Sequence, residues 1–424
     1  MQNSRAILLL LIANSISGVS QGISILAVPW YFTGIINRED LFGPIYFVIT
    51  AISLGWGLYA GTLIDRYSRK NIFLVINLAG LSILTVISGW GFANHTLPWF
   101  LVAAVFATTV FVYNIHFPNL YAFAQEITAK EDYARVTTLL EIQAQITYTT
   151  AGAMAAMLLS GFDGSFSLMG CRVLLPFSFS AWKIHEIFAI DAATYLIAFL
   201  IIYRIKSLPV VDKQIDRSGL RSRMKTGFSY LKKHPLLFNF GNASLLLFLT
   251  ILIFSTYVMP VYVDSFLQRG GNVYGMADMF FSFGALLAGF LTTKIFAEKD
   301  AVQGIIILTL VSGLMYLAML TSTQVALFFV CNFIIGACNS AVRIQRVTYL
   351  FHHIPNSVIG RAGSVFFVVN VFLRLCLIAV FALPFFHTGI NILYAVAAMA
   401  AVCFIASAIL LVNYKALMAE PETH

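Results

Sequence analysis

Gly61-Thr62-Leu63-Ile64-Asp65-Arg66-Tyr67-Ser68-Arg69-Lys70 packs one carboxylate and three cations into a short stretch between two long apolar runs. About 20 apolar residues cross a bilayer as a helix, so this charged stretch predicts a tight loop joining two membrane spans at one membrane face. Working outward from it, hydropathy divides the chain into spans near 6–36, 41–64, 70–91, 98–125, 132–161 and 184–204. A second set follows near 237–264, 274–296, 301–320, 324–350, 358–386 and 388–413. The expectation is an all-α integral membrane protein of twelve transmembrane helices.

Composition agrees. Of 424 residues, 60% are apolar and 10% charged, against roughly 25% charged in an ordinary soluble domain. The net charge of +8 would suggest nucleic acid in a soluble protein, but here placement matters more than sum. With the N-terminus inside, most Lys and Arg fall on the cytoplasmic face. Arg38, Arg172, Lys183 and Arg269 fall on the outer face, and Arg343 and Arg374 lie within the membrane. The positive-inside rule then puts both termini in the cytoplasm, and the expected location is a bacterial inner membrane. The first apolar run is too long for a signal-peptide core and reads as an uncleaved span. Five scattered cysteines give neither a disulfide framework nor zinc spacing. His352-His353 point to different helix faces and are assigned no metal; no cofactor is expected.

The basic stretch from Arg204 to Pro235 separates residues 1–204 from 237–424, with 205–236 a cytoplasmic linker that includes a helix suited to anionic lipid. The outer loop 162–183 is rich in Gly, Ser and Pro, which argues against a further span. Two correspondences suggest a six-plus-six duplication. Gly289-Phe290-Leu291-Thr292-Thr293-Lys294 lies 228 residues beyond Gly61 (61 to 289), and Arg361 lies 226 beyond Arg135 (135 to 361), each pair opening or closing equivalent spans.

The loop at 61–70 resembles the signature loop of the major facilitator superfamily, Gly-x-Leu-x-Asp-Arg-x-Gly-Arg-Lys, with Ser68 in place of the second glycine. The resemblance extends over the chain in span count, linker position and duplicated halves. It implies two pseudo-symmetric six-helix bundles working by alternating access, in a protein functional as a monomer. It also implies a cytoplasmic latch for Gly61, Asp65, Arg66, Arg69 and Arg361. Physically, Asp65 suits the helix start at Gly360-Arg361, while Arg66, Arg69 and Lys70 are within reach of Glu126, Glu131 or Asp132. Simple positive-inside anchoring explains Arg66 and Lys70 equally well.

Ionisable residues inside spans cost about 2.5–3.5 kcal/mol each on insertion scales and default to functional candidates. In the tenth span Asn332, Gly336, Asn339, Arg343 and Arg346 recur at helical spacing, with Arg343 near the midplane. In the fourth, His116 shares a stripe with Thr109 and Tyr113, and the repeat offset carries His116 onto position 343. The first span shows Asn14, Ser17, Gln21 and Ser24. Spans one, four, seven and ten line the cavity in the superfamily, so the resemblance supports Arg343, His116, Asn339, Gln21 and Tyr113 as candidates for substrate binding; Arg374, deep in the eleventh span one turn after Asn370, joins them as an intramembrane cation. Glu141, with Thr138, Gln145 and Gly152 on its face, is the candidate for proton coupling; a fixed ion pair with an arginine is the alternative. Asp191 and Asp278 sit near the outer surface, where capping or interfacial solvation accounts for them. Gly55, Gly57, Ala60 and Gly61, and Ala151, Gly152, Ala155 and Ala156, mark close helix approach.

No phosphate-binding Gly-x-x-x-x-Gly-Lys-Ser/Thr loop is present, so ATP does not drive the chain from within. Gln125-Glu126-Ile127-Thr128-Ala129-Lys130-Glu131-Asp132-Tyr133-Ala134-Arg135 with Ile359-Gly360-Arg361-Ala362-Gly363 is similar to the drug and siderophore efflux branch, which implies proton-coupled export. Deep arginines outnumber deep carboxylates, and guanidinium forks match carboxylates and phosphates. The expected substrate is therefore a small organic anion. Uptake of an organic anion or ferric polycarboxylate siderophore is the alternative. A membrane-embedded enzyme or sensor lacks the constellation or soluble domain it would need.

Overall fold

The computed structural model describes residues 4–128, 132–162, 165–168, 171–174, 178–206, 220–295 and 301–421. The helices are α1 (Ser4–Trp30, continuing to Ile35), α2 (Glu39–Arg66), α3 (Arg69–Asn94), α4 (Trp99–Glu126), α5 (Tyr133–Ser160) and α6 (Ile184–Arg204). They continue as α7 (Leu220–Lys233), α8 (Pro235–Ile253, continuing to Phe266), α9 (Gly271–Ile295) and α10 (Ala301–Met319), then α11 (Val325–His353), α12 (Asn356–Phe381), α13 (Ile392–Val412) and the short α14 (Tyr414–Met418). Among the described residues ten helices are long and apolar enough to cross a membrane. With α5 (28 residues) and α9 (25 residues), which match them in length, they make the twelve expected spans.

Helix ends fall where local chemistry puts them. Pro98, Pro235 and Pro355 stand at helix starts, where the missing N–H costs nothing. Glu186 accepts a hydrogen bond from the Lys183 amide at 2.7 Å and caps α6. The apolar run at 358–386 does not stay helical to its end. α12 stops at Phe381, and Pro384 opens a separate 3₁₀ turn to His387. The loop between α5 and α6 holds a small antiparallel hairpin, β1 (Ser165–Leu168) with β2 (Cys171–Leu174). It is closed at its base by paired backbone hydrogen bonds between Phe162 and Phe179.

Compactness divides the chain into two units that do not follow sequence order. One comprises Met1–Arg38, Leu63–Gln214 and Gln268–Met279; the other comprises Glu39–Thr62, Ile215–Leu267 and Phe280–His424. In the first, α1 packs on α4, α5 and α6, and α3 on α4 and α6. Close approach is real at Gly152, where an added methyl would lie 2.6 Å from the Met279 amide nitrogen. Gly55 and Gly61 behave otherwise: a methyl on either would meet nothing within 4 Å, so neither is a packing contact here. In the second unit, α8 packs on α11, α12 and α13, α10 on α11 and α13, and the linker helix α7 docks on α12.

One local device appears in both units. After Pro29 the first span loosens into a π-helical turn, Tyr31–Ile35, and 231 residues later (31 to 262) Tyr262–Phe266 does the same after Pro260. Proline removes a ladder hydrogen bond, and within each loosened turn a hydroxyl donates to a backbone carbonyl four residues back: Thr33 to Pro29 and Ser265 to Val261. The tyrosine opening each turn also ties the span to a neighbour. Tyr31 donates to the Leu97 carbonyl at 2.9 Å, before α4, and Tyr262 to the Met319 carbonyl at 2.7 Å, before α11.

Candidate functional site

The signature loop is anchored mainly by its last two cations. Arg69 opens α3 and forms an ion pair with Glu126 at the end of α4, 3.1 Å from Nη1 to Oε2. It also donates to the Ala122 carbonyl, and its own carbonyl accepts from Asn119 Nδ2 at 2.8 Å. Lys70 donates to the carbonyls of Tyr203 and Ile205, at 3.0 and 2.7 Å, where a cation meets the negative end of the α6 dipole. Arg66 is exposed. The side chain of Asp65 and all of Glu131 lie outside the described residues. Arg361 is half-buried in the first turns of α12.

Deeper in the same unit, three helices meet through a directed chain of side chains. His116 Nε2 on α4 lies 2.7 Å from Asn14 Oδ1 on α1. Asn14 Nδ2 donates to Gln143 Oε1 on α5 at 2.6 Å, and Gln143 Nε2 to Thr147 at 2.7 Å. Because an amide oxygen only accepts, His116 carries its proton on Nε2 in this arrangement. Hydropathy stripes single out His116 and Asn14; Gln143 is absent from them because it lies on the face of α5 away from Gln145. Glu141, half-buried, accepts a hydrogen bond from Tyr121 at 2.6 Å. Gln21 reaches the Tyr195 hydroxyl on α6 at 3.4 Å. Tyr113 is 39% exposed and packs against Phe117.

Asp191 does not fit the interfacial reading. It is fully buried, and its Oδ2 accepts from Ser24 at 2.6 Å. The second turn of α6 faces α1 rather than the membrane surface, a packing that depth along the helix cannot reveal.

The second unit has a different character. From Ala301 to Ala419 the chain contains no aspartate or glutamate, yet it carries Arg343, Arg346, Arg361 and Arg374. Arg343 and Arg346 lie one turn apart on α11 and close enough for their charges to repel; Arg346 reaches the Ser244 carbonyl at 3.4 Å. On α12, Asn370 Nδ2 and Arg374 Nε are buried donors one turn apart with no partner among the described residues. Tyr46, hydrogen-bonded to Thr256, lies within electrostatic reach of Arg374. Asn339 is half-buried on the α11 stripe. His353 is taken up by the Tyr349 carbonyl and stacks on the Tyr349 ring. Among the described residues no group of three His, Cys, Asp or Glu side chains could hold a metal ion.

These features are an apolar twelve-helix body, an anchored charged loop, and polar groups inside spans that pair with one another or await a partner. They suit passage of a polar solute. No curated protein matches the chain in sequence. Among solved structures, a bacterial homologue of the iron transporter ferroportin, in its inward-facing state, superposes with a TM-score of 0.71 at 12% identity, covering 96% of this chain and 98% of that one. The nucleoside transporter NupG gives 0.70 at 12% identity, covering 97% and 99%. A D-xylose–proton symporter gives 0.68 at 11%, covering 95% and 96%. Proteins named for such unlike solutes share the fold, so the fold alone selects no substrate. The family model of the Major Facilitator Superfamily matches residues 10–375, and the chain belongs to that superfamily as a multi-pass membrane transporter of a solute.

Proposed function

We propose that this transporter exports a small organic anion, siderophore-like or drug-like, by proton-coupled alternating access across the bacterial inner membrane, with both termini cytoplasmic. The observation that carries the reading is the acid-free stretch from Ala301 to Ala419 with Arg343 and Arg374 inside its spans. Arginines kept in hydrocarbon without a carboxylate in their own helices are suited to an anionic ligand, because guanidinium forks match carboxylate and phosphate oxygens. The unpartnered Asn370 Nδ2 and Arg374 Nε favour the same ligand class. In this reading Arg343, Arg374 and Asn339 contact the anion, and His116, Gln21 and Tyr113 supply neutral polar contacts. Glu141 exchanges the coupling proton. The latch role of Gly61, Asp65, Arg66, Arg69 and Arg361 follows from the family resemblance.

Inside-out vesicles with an acidic lumen test this reading. A panel of citrate, a metal-free hydroxamate siderophore and ethidium should show uptake of an anionic member, lost in Arg343→Ala. Uptake of ethidium alone, unchanged in Arg343→Ala, overturns the anion assignment. Accumulation only in right-side-out vesicles overturns export in favour of import.

A further inference from the structure

The first unit contains a buried carboxyl group that the reading above does not use. Asp191 is 0% exposed. Its Oδ2 accepts the Ser24 hydroxyl at 2.6 Å, whereas its Oδ1, equally buried, has no hydrogen-bond partner among the described residues.

No cation on the packed helices offsets it. α6 packs against α1 and α3. The only charged residue on α1 is Arg5, nineteen positions from Ser24, or about 28 Å of helix. On α3 the cations are Arg69 and Lys70, committed to Glu126 and to the end of α6. On α6 itself the nearby titratable groups are Glu186 and His185, five and six positions back beside Lys183 and His95, and Tyr195, one turn on, whose hydroxyl meets Gln21. A carboxylate left ionised in such a place, with one neutral donor, would carry most of its desolvation cost uncompensated.

Packing does not require the acid. α13 has the same 21-residue length as α6 and packs on α8 as α6 packs on α1. Its eighth residue, at the place that Asp191 holds when counted from the helix start, is Met399, also 0% exposed, and no residue of α13 is acidic. An apolar side chain fills the equivalent place.

We propose that Asp191 is a membrane-embedded proton-binding site. Its unpartnered oxygen takes and releases one proton, and the Ser24 hydroxyl, free to rotate between donor and acceptor, follows the change. The assignment adds a second protonatable carboxyl to the coupling role given to Glu141. It rests on the proton-coupled reading for its purpose, though not for its test.

The test reads the proton directly, without substrate. Infrared difference spectra of the full chain in liposomes, recorded on stepping pH, should contain a carboxylic-acid C=O band. That band should be absent in Asp191→Asn, retained in Glu141→Gln and shifted in frequency in Ser24→Ala, which removes the hydroxyl and leaves the acid. Sodium chloride added at fixed pH should leave it unchanged. Spectra of Asp191→Asn that keep every wild-type carboxylic-acid band, or no titrating band in wild type and Ser24→Ala alike, overturn the proposal; a band abolished by sodium replaces it with a cation site. Because Glu141→Gln is scored in the same spectra, failure of the Asp191 assignment is distinguishable from failure of the Glu141 coupling role.

Discussion

Arg69 Nη1 stands 3.1 Å from Glu126 Oε2, joining the first residue of α3 to the last of α4. The side chains are 18% and 21% exposed, so the pair lies between a surface salt bridge, worth about 0.2–1 kcal/mol, and a buried one, whose breakage costs about 3–5. Arg69→Ala is expected to destabilise the detergent-solubilised protein by roughly 1–2 kcal/mol, read from thermal unfolding. Glu126→Gln should cost less, because Arg69 keeps the Ala122 carbonyl. A double-mutant cycle should return a coupling of at least half the Arg69→Ala loss; a coupling near zero would mean that the backbone contacts alone hold the loop.

Asn14 is the middle of the three-helix chain and satisfies partners on both sides. Asn14→Ala leaves the buried His116 Nε2 and the half-buried Gln143 Oε1 without this partner, and an orphaned buried polar group costs about 1–3 kcal/mol. The expected loss is roughly 2–4 kcal/mol by unfolding in mixed micelles. Asn14→Ala combined with His116→Ala should be less destabilising than the two single losses added. Strict additivity would show that His116 and Asn14 do not act as one network.

Much of this architecture is legible without coordinates, for a definite reason. Hydrocarbon thickness sets span length, so hydropathy places the ends of α6 at 184 and 204 as observed. It fails where an apolar run outlasts its helix, as at Phe381, because Pro384 ends the ladder without changing hydropathy. Periodicity shows that α1 and α4 have polar faces but not which faces meet. His116 and Asn14 are therefore visible as separate stripes, while Gln143 and the Ser24–Asp191 contact depend on how α5 and α6 are rotated. The hairpin at 165–174 escapes notice for a related reason: its pairing depends on register, which a Gly- and Ser-rich stretch specifies weakly.

His387, in the turn between the last two spans, gives the fold a pH dependence of predictable sign. Burial pushes its pKa below the ordinary 6.5, against the opposing pull of Glu39, Asp40 and a backbone hydrogen bond with Phe381. Its Nε2 lies 2.9 Å from the Tyr257 hydroxyl. The folded protein thus favours the neutral ring, and as pH falls below about 6.5 the unfolded chain takes up this proton first. The contribution is full above 6.5 and lost on acidification toward the folded-state value. Melting temperatures at pH 7.5 and 5.5 should fall more steeply for wild type than for His387→Gln; parallel lines would remove His387 from the acid response.

Gly227 fixes how the linker helix docks. A methyl there would sit 2.3 Å from the carbonyl oxygen of Arg361 and 2.6 Å from its carbon. Those atoms are backbone in the first turns of α12 and cannot swing aside as a side-chain tip can. Gly227→Ala must therefore lift α7 off α12, at the roughly 1–3 kcal/mol typical of overpacking. Leu231, buried on the same helix, would be uncovered, whereas Ser229 is exposed and makes a fair control. Limited trypsin digestion between Arg204 and Lys233 should accelerate roughly ten- to hundredfold in Gly227→Ala, the population change such a cost implies, and stay unchanged in Ser229→Ala. Equal rates in wild type and Gly227→Ala would mean that α7 is already free of α12 in the membrane, and that the basic stretch is a tether rather than a docked element.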